Sequence, residues 1–232
     1  AGTDAIKVGI IYKPAAVTQI GRTAVLDSPE FLDPTGSGED RNRAAVAATF
    51  LEKGTGETFS VVVNHLKSKG SGCGAGDDDP HAGSCNLTRI LAAGVLAEWI
   101  GTNPTNSKDT DWLIIGDLNS YDKEAPVDVL RAAGYTDLLD EYVGELAYTF
   151  VFDGQFGHLD YAMSSASLTA QVTGATAWNI NADEPDILDY DLTFKSATQA
   201  ALFEANAYRS SDHDAVLVGL SLNEKPGRGN KR

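Results

Sequence analysis

Apolar residues come in short runs along most of this chain rather than in long helical stripes. Ile6 to Tyr12, ending before Pro14, reads as an extended stretch. Val46 to Leu51 alternates into Ser60 to Leu66, and Lys53-Gly54-Thr55-Gly56 between them supplies turn residues, so the two predict a hairpin. Trp112 to Gly116 is short, branched and apolar, the pattern of a strand buried on both faces. Tyr148 to Phe152 and His158 to Met163 flank Asp153-Gly154-Gln155-Phe156-Gly157 and predict a second hairpin, and Ala215 to Leu220 predicts a last strand. Two stretches have helical spacing instead. In Asn86 to Ile100, Asn86 is placed to cap and Leu87, Ile90, Leu91, Val95, Leu96 and Trp99 form one stripe; Ala125 to Gly134 is closed by its Gly.

Strands outnumber helices, and neither an internal repeat nor a long linker divides the chain. These elements predict one α/β domain with layered sheets over residues 1–222, an acidic loop at Asp183 to Asp191, and a disordered tail over 223–232. Hydrophobic residues at 42% and charged residues at 22% are ordinary globular values. No window approaches the roughly 18 apolar residues of a membrane span.

Charge changes the picture more. Thirty-three acidic residues against 18 basic ones give a net charge of −15. A module that binds nucleic acid passively needs a basic face, so that class is disfavoured. An enzyme that meets phosphate through a divalent cation and a few local cations is not. The two cysteines, Cys73 and Cys85, bracket a loop of Gly and Asp that cannot be a regular element. A disulfide pinning that loop would fit an oxidising compartment, with two free thiols as the alternative that spacing alone does not decide.

Four polar clusters stand at strand ends: Asn64-His65-Leu66-Lys67-Ser68-Lys69, Gly116-Asp117-Leu118-Asn119, Leu159-Asp160-Tyr161 and Ser211-Asp212-His213-Asp214. Singly each is weak. Asp117 and Asn119 read equally as a cap and a turn, His65 as a core histidine, and Asp212 as a cap before the last strand. Together they are more specific. Asp117 and Asn119, like Asp212 and Asp214, lie two apart, so extended backbone would point each pair to one face. Hard oxygen ligands, two imidazoles and nearby lysines suit Mg²⁺-assisted attack on phosphorus. No Gly-x-Ser-x-Gly elbow, phosphate-binding P-loop or zinc spacing of Cys and His competes.

The order of these motifs resembles the endonuclease/exonuclease/phosphatase superfamily, whose best-known member is deoxyribonuclease I, and within it the secreted bacterial nucleases. Ile6 to Pro14, Arg41-Asn42-Arg43, the four clusters, Gly157-His158, the cysteine loop and Asn181-Ala182-Asp183-Glu184-Pro185 carry the likeness along nearly the whole chain. It implies a four-layered α/β sandwich, two mostly antiparallel sheets with helices outside. It also implies a metal-dependent phosphodiesterase, with DNA or RNA as substrate, working outside the cell with Mg²⁺ or Mn²⁺. In that scheme Asp117 orients or deprotonates the attacking water, and Asn119 holds a phosphate oxygen or a water on the metal. Asp212 is the metal ligand. His213, oriented by Asp160, stabilises the transition state or moves a proton, with His65 acting opposite. Arg43, Asn64 and Lys67 contact phosphate, whereas His81 and His158 have surface or packing roles.

One departure stands out. Family members open with a strand bearing an Asn and a strand ending in a metal-binding Glu, both before the equivalent of Ile6. The resemblance therefore implies a domain lacking its first strands, completed by a separate amino-terminal segment or by self-association. Sphingomyelin or inositol-phosphate hydrolysis uses the same residues. A reading from another class is a non-catalytic module in which Asp77-Asp78-Asp79 and Asp183 to Asp191 hold structural Ca²⁺.

Overall fold

The computed structural model describes residues 6–222; the tail expected at 223–232 lies outside them. Ten strands are present: β1 Val17–Leu26, β2 Arg43–Glu52, β3 Thr58–His65, β4 Trp112–Asp117, β5 Tyr135–Asp137, β6 Phe150–Phe152, β7 Gln155–Gly157, β8 Asp160–Ser165, β9 Val172–Trp178 and β10 Ala215–Leu220. Six form the main sheet in the order β1-β2-β3-β4-β8-β5; β9 pairs with β10, and β6 with β7. Within the main sheet β3 and β4 run parallel and the other neighbours antiparallel.

The period of two decides what each face covers. Val62, Ile114, Tyr161 and Met163 point to a core shared with α1 (Pro29–Leu32), α2 (Asn86–Gly101) and α3 (Ala125–Ala132). Leu113, Ile115 and Ala162 point to the opposite face, where Val172, Ala175, Val216, Val218 and Leu220 of the β9/β10 pair pack on them. Helices on a sheet on a second sheet is thus the architecture, and α4 (Leu138–Tyr142) adds Leu138 to that second core. No helix among the described residues is long and apolar enough to cross a membrane.

Several expectations need correction. Residues 6–13 join no ladder; they lie over the sheet, where Ile10 and Tyr12 touch the Ala48, Phe50 and Val61 cluster. The first strand is β1 instead, whose pattern is broken by Gly21-Arg22-Thr23. There the register with β2 shifts, and Arg22 N–H donates to Thr105 O at 3.0 Å. Gly21 is needed at that bulge: its φ is +66°, and a Cβ would stand 2.5 Å from Thr105 O. The predicted hairpin over residues 148–163 is tighter than expected. Asp153-Gly154 turns it in two residues, both at positive φ, so β6 pairs with Gln155–Gly157 while β8 enters the main sheet.

Helix α2 buries Thr88, Arg89, Ala92, Ala93, Leu96 and Ile100, leaving Leu87 and Leu91 exposed. Small alanines let it lie close to the sheet, so the face is set by fit rather than by the largest side chains. Asn86 does not cap it. Asp77, nine residues upstream, takes that part: its carboxylate accepts from Thr88 N–H at 2.8 Å and Thr88 Oγ1 at 2.6 Å.

Cys73 and Cys85 are joined by a disulfide. Between them Asp78 accepts from the N–H groups of Cys73 and Cys85, and Asp79 from those of His81 and Ala82. Asp77 pairs with Arg41 at 2.8 Å. These carboxylates accept from separate donors within and beside the loop. Closing a loop of this length restrains the unfolded chain. Reduction or a Cys73→Ser/Cys85→Ser change should therefore lower stability by about 3 kcal/mol in a denaturant titration. Thiol alkylation before reduction should label neither cysteine.

Candidate active site

The register of the main sheet sets four chemically active residues in line. Arg43 of β2 lies opposite His65 of β3, His65 opposite Asp117 of β4, and Asp117 opposite Asp160 of β8. With strands about 4.8 Å apart, the row spans roughly 14 Å at one end of the sheet. His213 extends it: its Nδ1 lies 2.6 Å from Asp160 Oδ2.

Asp160 is itself positioned. Thr149 Oγ1 donates to the same Oδ2 at 2.8 Å and accepts from the N–H groups of Leu159 and Asp160. Thr149 O also accepts from Asp214 N–H at 2.8 Å, fastening the segment that carries His213. Burial of the His213 ring opposes charging, but the hydrogen bond and charge of Asp160, then Asp117 and Asp212, raise its pKa to about 9. An imidazole raised above its unfolded value near 6.5 adds stability that is complete below that pH and is lost as pH climbs through about 9. In EDTA, ring NMR signals of His213 should titrate near pH 9, and Asp160→Asn should move them downward. A midpoint unmoved by Asp160→Asn would remove Asp160 as the cause.

Asp117 stands at the middle. Burial, then the charge of Asp160, raises its pKa to about 7, against His213, Asn119 N–H and Arg43, which lower it. Its Oδ2 is 3.4 Å from His65 Nε2, so the carboxylate has an imidazole on one side and the Asp160–His213 pair on the other. Asn119 meets Asp117, but not by the extended spacing expected. Its φ is +49°, and the turn brings its N–H to Asp117 Oδ1 at 2.6 Å and its Nδ2 to Asp117 Oδ2 at 2.9 Å. Asp212 and Asp214 do not share a face. The backbone bends before β10, and buried Asp214 accepts from Asn179 Nδ2 and the N–H groups of Ile180, Asn181 and Ala182. Asp212 is exposed and faces the cleft beside His213.

Of the expected phosphate contacts, Arg43 stands beside His65. Lys67 turns toward the cysteine loop, its Nζ 2.9 Å from Ser71 Oγ; burial, then Arg43, Arg41 and Arg89, lowers its pKa. Asn64 is 1% exposed and donates to Ile115 O at 2.9 Å, so it has no surface from which to reach a phosphate. His158 packs on Tyr161 and lies 3.5 Å from Asp137; His81 is exposed.

Two positioning residues escaped the sequence reading. Thr149 is one. Arg89 is the other: fully buried, it donates to Lys67 O, Ser84 O and Ala82 O and to Ser120 Oγ, tying the cysteine loop to the strand ends. An arginine facing inward on a helix of small residues was the available signal.

The donor chemistry suits a hard cation, and Asp117 is a half-buried carboxylate whose pKa burial and the charge of Asp160 raise. The fit is partial. Among the described residues the row does not bring three protein ligand atoms around one point, so water and phosphate would complete the shell. Asp122, Asp137 and His158 do converge elsewhere, but Arg131 already bridges both of those carboxylates.

Neither a protein-family model nor a curated protein matches the sequence. Solved structures do. A mannosyl-6-phosphatase of Bacteroides thetaiotaomicron is 18% identical, with 91% of this chain and 69% of that one covered at a TM-score of 0.57. The chain has the deoxyribonuclease I-like fold. Two further structures share it. TDP2 of D. rerio, complexed with a single-strand DNA product, is 14% identical over 88% of this chain and 68% of that one, at a TM-score of 0.52. An endonuclease/exonuclease/phosphatase family protein of B. thetaiotaomicron is 17% identical over 72% of this chain, at a TM-score of 0.51. The chain spans only 57% of that protein's length.

Proposed function

We propose that this chain is a divalent-metal-dependent phosphodiesterase and that its substrate is a nucleic acid, DNA or RNA, met outside the cell. The observation that carries the reading is the half-buried Asp117 between His65 at 3.4 Å and the His213–Asp160 pair. A carboxylate raised to about 7 is matched to taking a proton from water near neutrality. An imidazolium held charged by Asp160 supplies positive charge where a pentavalent phosphorus gathers negative charge. His65, on the other flank, is placed to protonate a departing oxygen. Asn119, locked by Asp117 and by Leu66 O at 3.0 Å, keeps its carbonyl oxygen for water or metal.

Asp212 is the carboxylate that would hold Mg²⁺ or Mn²⁺, with water and phosphate completing the shell, and the ion when bound would polarise the phosphate and offset its charge. Arg43 and Lys67 supply the cations expected on the other side. The disulfide accords with an extracellular setting. The structures that share the fold include a mannosyl-6-phosphatase as well as a protein complexed with a single-strand DNA product, so the ester class is tested directly. With Mg²⁺ or Mn²⁺ the protein should hydrolyse bis(4-nitrophenyl) phosphate and a linear oligonucleotide, and EDTA should stop both. Hydrolysis confined to phosphomonoesters would overturn the diesterase reading.

A further inference from the structure

The row ends in two unlike environments. At the Arg43 end, Lys67 feels the charges of Arg43, Arg41 and Arg89. At the His213 end, the β6–β7 hairpin faces residues 182–186 across a cleft of about 490 Å³ that reaches Asp212. Its lining carries five carboxylates and one guanidinium, that of Arg209, which is bonded to Asn181 O and paired with Asp186. A second phosphate entering the cleft would sit within a Debye length of like charges, which disfavours a polyanion there.

The same cleft offers flat apolar surface. Phe150 lies with its ring centre 4.7 Å from that of His213. Phe156 is 61% exposed yet held edge-on by Tyr148 at 5.0 Å. An exposed ring braced in this way keeps its orientation and presents a face on which another ring can stack.

We propose that this cleft seats the one substituent of the diester that carries no further phosphate, an uncharged aromatic group such as the terminal nucleoside of a strand. The remaining polyanion runs toward Arg43 and Lys67. The inference rests on the phosphodiesterase reading above and adds polarity to it: cleavage begins at a chain end. Base stacking is strong enough to set such a register without reading sequence.

The test compares a linear single-stranded oligonucleotide, the same oligonucleotide ligated into a circle, and bis(4-nitrophenyl) phosphate, all with Mn²⁺. The linear strand should shorten from one end, the small diester should be hydrolysed, and the circle should react at least about 100-fold more slowly. Phe156→Ala should raise KM for the linear strand by about tenfold, within the range of one lost base stack. Asp153→Asn with Asp183→Asn should narrow the gap between circle and line by at least about tenfold. Equal rates on circle and line, alongside turnover of the small diester, overturn this inference and leave the diesterase reading standing. A gap unchanged in the asparagine variant overturns the electrostatic basis of the polarity. No turnover of any of the three overturns both.

Discussion

His213→Ala should slow phosphodiester hydrolysis by about 10²–10⁴-fold, and His65→Ala by a similar factor, the usual cost of losing a positioned acid or base. Both rings are partly accessible, with side chains 23% and 27% exposed, so their removal opens no large cavity; His65→Ala should hardly move the melting temperature, whereas His213→Ala should lower it by losing the pair with Asp160. The losses should differ in origin. Without His213 the site lacks the cation that Asp160 keeps charged, so Asp160→Asn should reproduce part of the loss while leaving the ring in place. Without His65 the flank of Asp117 toward Arg43 is left empty. If both groups act in one transition state, the double variant should fall well short of the product of the two factors. Rates within threefold of wild type in either single variant would remove that histidine from the mechanism.

Gly116→Ala should unfold or nearly unfold the protein, costing about 3–5 kcal/mol from backbone strain and overpacking combined. Gly116 sits in β4 at φ +123°, a conformation that L side chains rarely adopt. A Cβ there would lie 2.0 Å from Asn64 O, and neither backbone can retreat, because β3 and β4 are adjacent hydrogen-bonded strands. The residue also precedes Asp117, so a rescued but distorted variant should lose activity as well. Chemical denaturation checks the first outcome. Wild-type stability would overturn the close approach of the two strands at this position.

Much of the fold was legible because its signals are local. Trp112 to Gly116 and Ala215 to Leu220 are buried or half-buried strands whose period appears in five or six residues, and Asp-Gly at 153–154 carries its own turn chemistry. The grouping of polar clusters at strand ends was legible for the same reason. Residues 6–12 join no ladder, because a ladder strand needs a paired neighbour and sequence does not name one. β9, with its Thr, Gly and Ala, has almost no pattern of its own; it is a strand because β10 pairs with it.

The sequence by itself determined which residues can do chemistry, which strands have a buried face, and that two cysteines bracket a loop with no regular structure. Only the tertiary structure decided their arrangement. Register across four strands places Arg43, His65, Asp117 and Asp160 in one row, and Asp160 meets His213 across 53 positions of sequence. It also turned Asp214 inward while leaving Asp212 at the cleft, though the two differ by one residue between them. The physical reason is range. Periodicity records which face of an element is buried, whereas strand order, register and long-range hydrogen bonds depend on how separate elements fit together.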